Sequence, residues 1–369
     1  MKVATENPLK QALGCGQSIW YDGLVSHREF EDMIREDGIR GATTNPTIFE
    51  KSLSGGEYDK ALSGLLGARP AEEIYRTIAA KAVQDVADLF LPVADRTRGE
   101  DGFVSIEVSP LLAHDTQATL SEARELWRLV GRQNVMIKVP ATREGIPAVR
   151  ALIADGIHVN ITLIFSVKRY REVIEAYLGG LEERVRGGKA VSGVASVASF
   201  FVSRVDTAVD KILEEKIAKA AQGPEKEALE SLLGKAAIAN SKVAYDVFEK
   251  IFFGPRFEKL GAKNARLQRP LWASTGTKNP RYGDVVYVEA LMGPHTVDTV
   301  PPATLAAFRD HGVARARLKD NVPGAYETLE KIAAAGINLE KTTQELEDAG
   351  VKSFGDSYRK IIDLIRTRK

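Results

Sequence analysis

Short apolar runs alternate with longer stretches of helical periodicity along most of this chain. Eight runs have the length and character of strands: residues 18–21, 38–43, 102–108, 134–139, 158–165, 190–195, 271–274 and 285–291. Several are near-continuous in apolar residues, as strands are when both faces of a parallel sheet are buried. Between them, residues 71–94, 117–130 and 167–186 repeat apolar positions at helical spacing. Eight strands separated by helices predict an α/β fold closed as a (β/α)8 barrel. No GxGxxG follows any of the runs, which disfavours an open dinucleotide-binding sheet.

Two regions exceed a minimal barrel. Residues 202–263 are helical in pattern and highly charged, which predicts a helical excursion after the sixth strand. From 302 to 369 the pattern is helical again, with segments at 303–310, 323–334, 339–349 and 354–366. This tail has two possible uses, a cover over the barrel mouth or a partner surface. No repeat or linker-like stretch interrupts residues 1–369, so one domain is expected.

Composition narrows the functions. Of 369 residues 44% are hydrophobic and 27% charged, ordinary for a globular protein with a sizeable core. Lys and Arg number 51 against 50 Asp and Glu, so no overall field would gather nucleic acid or an anionic membrane. One cysteine, Cys15, rules out an intrachain disulfide framework. No run approaches the ~20 apolar residues that span a bilayer, and the N-terminus lacks the apolar core of a signal peptide. A cytoplasmic protein is expected.

In such barrels the reacting groups sit at the C-terminal ends of strands. Those positions carry Asp22, Thr43-Thr44-Asn45-Pro46, Glu107, Lys138, Asn160 with Thr162, Ser199 with Arg204, and Ser274. Polar groups at seven of eight strand ends are not readily explained by packing. Lys138 is the most informative, because it lies in the apolar run Val135-Met136-Ile137-Lys138-Val139-Pro140. An ordinary lysine, with a pKa of ~10.4, is almost wholly charged near neutrality. Burial favours the neutral amine, the form that condenses with a ketose carbonyl. A structural ion pair with Glu107 is the competing explanation of the same burial. Asp22 and Glu107 could divide the proton transfers of imine and aldol chemistry, although Asp22-Gly23 alone also reads as a turn. The histidines (His27, His114, His158, His295 and His311) have no metal-ligand spacing.

Two stretches carry a family resemblance. Gly41-Ala42-Thr43-Thr44-Asn45-Pro46-Thr47-Ile48-Phe49 resembles the first signature of the transaldolases, and residues 135–146 resemble the second, which contains a Schiff-base lysine. Residues 105–108, 160–163 and 199–204 follow in the family's order and spacing, so the likeness runs from about 18 to 307. The resemblance implies that Lys138 forms the Schiff base and that Asp22 accepts the C4 hydroxyl proton. Glu107, with Thr162 and a bound water, would serve imine formation and hydrolysis. Asn45, Asn160 and Ser199 would hold the dihydroxyacetone hydroxyls. The implied reaction moves dihydroxyacetone from sedoheptulose 7-phosphate to glyceraldehyde 3-phosphate in the pentose phosphate pathway, with no metal or other cofactor.

Arg204 and Ser274 occupy the family's phosphate positions. Here the chain departs from the common pattern: Ser274-Thr275-Gly276-Thr277-Lys278 offers a lysine where an arginine usually follows the serine. Lys278 is the expected substitute, a point charge in place of a bidentate fork. The nearest alternative is a fructose-6-phosphate aldolase, whose shorter chains carry tyrosine where this one has Phe201. A non-catalytic sugar-phosphate-binding barrel is the alternative from another class. Monomer and homodimer are both left open.

Overall fold

The computed structural model describes residues 7–67 and 69–368. Among these, eight parallel strands close into a barrel, each paired with the next and β8 with β1. They are β1 (Gln17–Asp22), β2 (Ala42–Thr43), β3 (Val104–Glu107), β4 (Val135–Pro140), β5 (Val159–Ile164), β6 (Ser196–Phe201), β7 (Gln268–Ala273) and β8 (Thr296–Val300). Six coincide with predicted runs, although β2 shrinks to two residues.

The other two runs are not strands. Residues 190–195 include the exposed pair Ser192 and Gly193, whereas β6 begins directly after them and is buried throughout. Residues 285–291 were strand-like because of Val285, Val286 and Val288. They instead form a single helical turn, Val286–Ala290, with the Glu289 amide donating to the Val285 carbonyl at 3.0 Å. The strand that closes the barrel is Thr296-Val297-Asp298-Thr299-Val300, whose polar residues conceal its complete burial from a hydropathy reading.

The helical additions form as expected, with two refinements. The excursion resolves into helices Ser203–Ile217, Pro224–Glu230, Ala236–Phe252 and Pro255–Gly261. At the C-terminus, the two segments 339–349 and 354–366 are one unbroken helix, Leu339–Thr367. The helix runs through Gly350 and Gly355 without a break, since a glycine costs a helix interior only about 1 kcal/mol. This helix packs against Pro46–Ser54, Ala71–Arg96 and β5, so the tail covers part of the barrel mouth. The main apolar cluster runs from Leu9 to Ile365 and joins barrel, excursion and tail.

The opposite end of the barrel is plugged by charge. Asp101 lies beneath β1 and accepts from Arg269 Nη2 at 2.8 Å, Ser18 Oγ at 2.8 Å and Trp20 Nε1 at 3.3 Å. Burial pushes its carboxyl up, but Arg269, assisted by Ser18 and Arg40, brings it below the ordinary value. Removing the arginine strands that carboxylate. Arg269→Met should therefore lose about 3–5 kcal/mol in urea unfolding. A depressed carboxyl stabilises above its unfolded pKa and loses that contribution as pH falls through the native one. The gap between variant and wild type should accordingly narrow below about pH 4.

Candidate active site

Side chains alternate inward and outward along each strand, and strand partners in register share a face. Glu107 on β3 is in register with Lys138 on β4, and Lys138 with Asn160 on β5. That arithmetic brings the three to one layer of the barrel interior. Lys138 Nζ lies 3.2 Å from Glu107 Oε2, the two side chains being 6% and 4% exposed. It also donates to the Thr44 carbonyl at 3.1 Å. The approach to Glu107 is not aligned as a hydrogen bond, and Glu107 Oε2 and Thr162 Oγ1 are both buried without a hydrogen-bond partner. Unmet buried oxygens of this kind mark a place that a ligand or water completes.

Asp22, at the end of β1, is held by Thr43. The Thr43 hydroxyl donates to Asp22 Oδ1 at 2.9 Å and lies 2.5 Å from Thr299 Oγ1 on β8. Since Thr43 has one proton to give, Thr299 must donate to it, forming a directed relay from β8 through β2 to β1. Burial raises the Asp22 carboxyl, while Lys138, the Thr43 hydrogen bond, Lys278 and Arg204 act to lower it. Burial likewise raises Glu107, against the opposing pull of Lys138, and Asp22 adds to the rise. Two carboxyls lifted by burial beside one lysine form a unit suited to proton transfer.

The remaining predicted residues gather around this unit. Asn45 caps the helix Pro46–Ser54, its Oδ1 accepting from the Ile48 amide at 3.0 Å, which leaves its NH2 group for other partners. Asn160 donates to Ser105 Oγ at 3.0 Å and accepts from Ser199 Oγ at 2.7 Å. Ser199 therefore sits within β6, two residues before its end, and retains acceptor capacity. The Phe201 ring packs 5.0 Å from Phe165, and the Arg204 guanidinium lies 5.4 Å over the Phe201 face. Ser274 has a left-handed φ of 57° and shares a 3.0 Å hydroxyl contact with Ser203. Lys278 is on the exposed loop beyond it.

Three participants escaped the sequence reading. Thr299 and Asp298 lie in the overlooked strand β8. Phe354, from the C-terminal helix, sets its ring centroid 5.8 Å from Lys138 Nζ. A buried aromatic at that position is indistinguishable in sequence from ordinary helix packing. His158 is a packing residue, accepting from the Ala195 amide at 3.1 Å, with burial lowering its pKa to about 4.

A buried lysine with two carboxyls near it at the mouth of a (β/α)8 barrel is the arrangement that Schiff-base aldol chemistry uses. Residues 19–365 match the family model described as transaldolase/fructose-6-phosphate aldolase, and the chain belongs to that family. It is 46% identical to a transaldolase of Acidothermus cellulolyticus, over 96% of this chain and 95% of that protein. Against a transaldolase of Mycolicibacterium smegmatis the figures are 45%, 97% and 96%. For one from Trichodesmium erythraeum they are 42%, 98% and 97%.

Asp298 supplies a test of the electrostatics. It is buried beside the site, accepts from Thr275 Oγ1 at 2.9 Å and leaves Oδ2 unpartnered. Burial pushes its carboxyl up to about 8, Thr275 opposing and Asp22 reinforcing. A carboxyl raised in this way contributes most below its unfolded pKa, and its contribution is lost as pH climbs to the native value. Asp298→Asn should thus gain in Tm relative to wild type as pH rises from about 4 to about 8. A constant difference across that range would exclude a protonated Asp298.

Proposed function

We propose that this chain is a transaldolase that transfers dihydroxyacetone from sedoheptulose 7-phosphate to glyceraldehyde 3-phosphate, giving erythrose 4-phosphate and fructose 6-phosphate. The observation that carries the reading is Lys138 Nζ, buried between Glu107 Oε2 and the Thr44 carbonyl in the mouth of the barrel. The Lys138 amine adds to the ketose C2 carbonyl, and Glu107 delivers the proton with which the C2 oxygen leaves as water. The resulting iminium accepts electrons from the C3–C4 bond as Asp22 removes the C4 hydroxyl proton. The shortened aldehyde departs and the three-carbon enamine stays on Lys138. An incoming aldehyde then reverses the sequence, and Glu107, aided by Thr162, activates the water that frees the product.

The donor geometry fits this division. Asn160 and Ser199 face the hydroxyls of the three-carbon fragment with one spare amide hydrogen and spare acceptor pairs. Asn45 contributes only its NH2 group. Arg204, Ser274 and Lys278 form the phosphate side in this reading, and the pull of both cations on Asp22 supports it. As part of the same proposal, residues 1–369 act as one domain in the cytoplasm. No helix among the described residues is long and apolar enough to cross a membrane.

Borohydride reduction with fructose 6-phosphate should leave a three-carbon adduct on Lys138. Adding erythrose 4-phosphate before reduction should clear it. Free dihydroxyacetone accumulating instead of an adduct would favour a fructose-6-phosphate aldolase, and neither adduct nor product would favour a binding protein. Lys138→Ala should keep its circular dichroism spectrum and lose carbon–carbon cleavage; full activity would sink the mechanism. Lys278→Ala should raise KM for phosphorylated donors several-fold with little change in kcat, and an unchanged KM would return this lysine to solvent.

A further inference from the structure

The C-terminal helix Leu339–Thr367 brings a hydrocarbon face to the reactive nitrogen. Phe354 is 4% exposed and its ring centroid is 5.8 Å from Lys138 Nζ, within cation–π range. The ring is fixed by the turns on either side, since Gly350, Phe354 and Tyr358 share one helix face. One turn earlier, Gly350 lets the helix pass close to β5; a Cβ there would meet Leu163 Cδ2 at 2.8 Å. Leu163 itself has a left-handed φ of 60°, at the register shift of β5 beside Thr162. One turn later, Tyr358 meets Tyr75 edge to face at 5.4 Å, and Tyr75 meets Phe49 at 5.7 Å. Ser357 adds a 3.0 Å hydroxyl contact to Thr47, two residues beyond Asn45. The helix is therefore registered against the segments that carry Thr162 and Asn45, and Phe354 is the residue it delivers to Lys138.

We propose that Phe354 sets the partition of the lysine-bound fragment between an aldehyde acceptor and water. This rests on the Schiff-base reading above. Transfer forms a bond from C3 of the enamine to the acceptor carbonyl carbon, whose oxygen takes up a proton. Premature release instead protonates C3, adds water to C2 of the iminium, and breaks the C2–Nζ bond to give dihydroxyacetone and the free amine. Transfer also ends in hydrolysis of a C2 iminium, so the routes diverge at C3, which in release must take a proton delivered by way of water at the C3–C2–Nζ unit. A ring with neither donor nor acceptor at this nitrogen occupies volume that water would otherwise fill. It acts at the nitrogen, independently of the residue at position 201.

The test compares free dihydroxyacetone released from fructose 6-phosphate alone with transfer to erythrose 4-phosphate, in the full chain. Phe354→Ala should raise the release-to-transfer ratio about tenfold, the lower end of what one altered apolar contact discriminates. Phe354→Leu, which fills the space without a ring, should stay near wild type. An Ala variant that retains the Lys138 adduct but has an unchanged ratio overturns the proposal, even if its kcat falls. A Leu variant that behaves like Ala overturns water exclusion as the cause. Should the Ala variant not fold, Phe354→Val takes its place with a smaller rise expected and the same overturning result. Absence of any Lys138 adduct in the wild-type protein would instead remove the Schiff-base reading, and this proposal with it.

Discussion

A lysine and a glutamate share a layer of the barrel interior where each is nearly out of reach of water, and much of the mouth is organised around that pair. Burying two such groups is costly, and their mutual attraction offsets the cost only when further hydrogen bonds complete the site. Here completion is partial. Lys138 has the Thr44 carbonyl, but Glu107 Oε2 is left without an aligned donor. Stability alone does not account for this arrangement, because an apolar pair in register would fill the same layer at less cost. The unmet oxygen is free to accept from a hydroxyl or a water molecule.

The two ends of the barrel make the contrast plain. Asp101, at the closed end, is surrounded by Arg269, Ser18, Trp20 and Arg40, and its carboxyl is driven below the ordinary range. Asp22 and Glu107, at the open end, are driven above it by burial that their partners do not fully offset. The same strands serve both: β1 contributes Ser18 to one end and Asp22 to the other. A satisfied network therefore fixes the barrel from below, while an under-satisfied one above retains the freedom to exchange protons.

Much of this was legible in the sequence, and the failures have physical causes. Lys138 stood out because a charged residue inside an apolar run has few explanations, and the register of β3, β4 and β5 then brought Glu107 and Asn160 beside it. β8 was missed because threonine and aspartate lower its hydropathy while closure buries it completely. With it went Thr299, whose hydroxyl orders the relay to Asp22, and Asp298. β2 was overextended because only Ala42 and Thr43 pair as a ladder, while in the Gly38-Ile39-Arg40-Gly41 stretch before them Ile39 is buried for packing. Phe354 could not be found at all, because its partner lies more than two hundred residues away and no periodicity encodes that distance.

The long terminal helix answers a problem that the barrel alone leaves open. A (β/α)8 barrel is packed within and exposed at its mouth, where loops rather than layers meet solvent. Iminium chemistry gains from a dry site, since electrostatic interactions strengthen as water is excluded. Loops would supply cover at the expense of precision, whereas a helix carries its residues at fixed spacing. The helix Leu339–Thr367 is seated by contacts along its length: Arg169 to Glu347 at 3.1 Å, Lys360 to Glu50 at 3.1 Å and Arg366 to Glu72 at 2.8 Å. Exposed pairs such as the last two contribute little stability individually. Together with the glycine contact at Leu163 they fix register, and register decides which side chain meets Lys138. A slip of one residue would turn the helix by about 100° and replace Phe354 at the mouth with a glycine or a serine, neither of which would place a ring at Lys138.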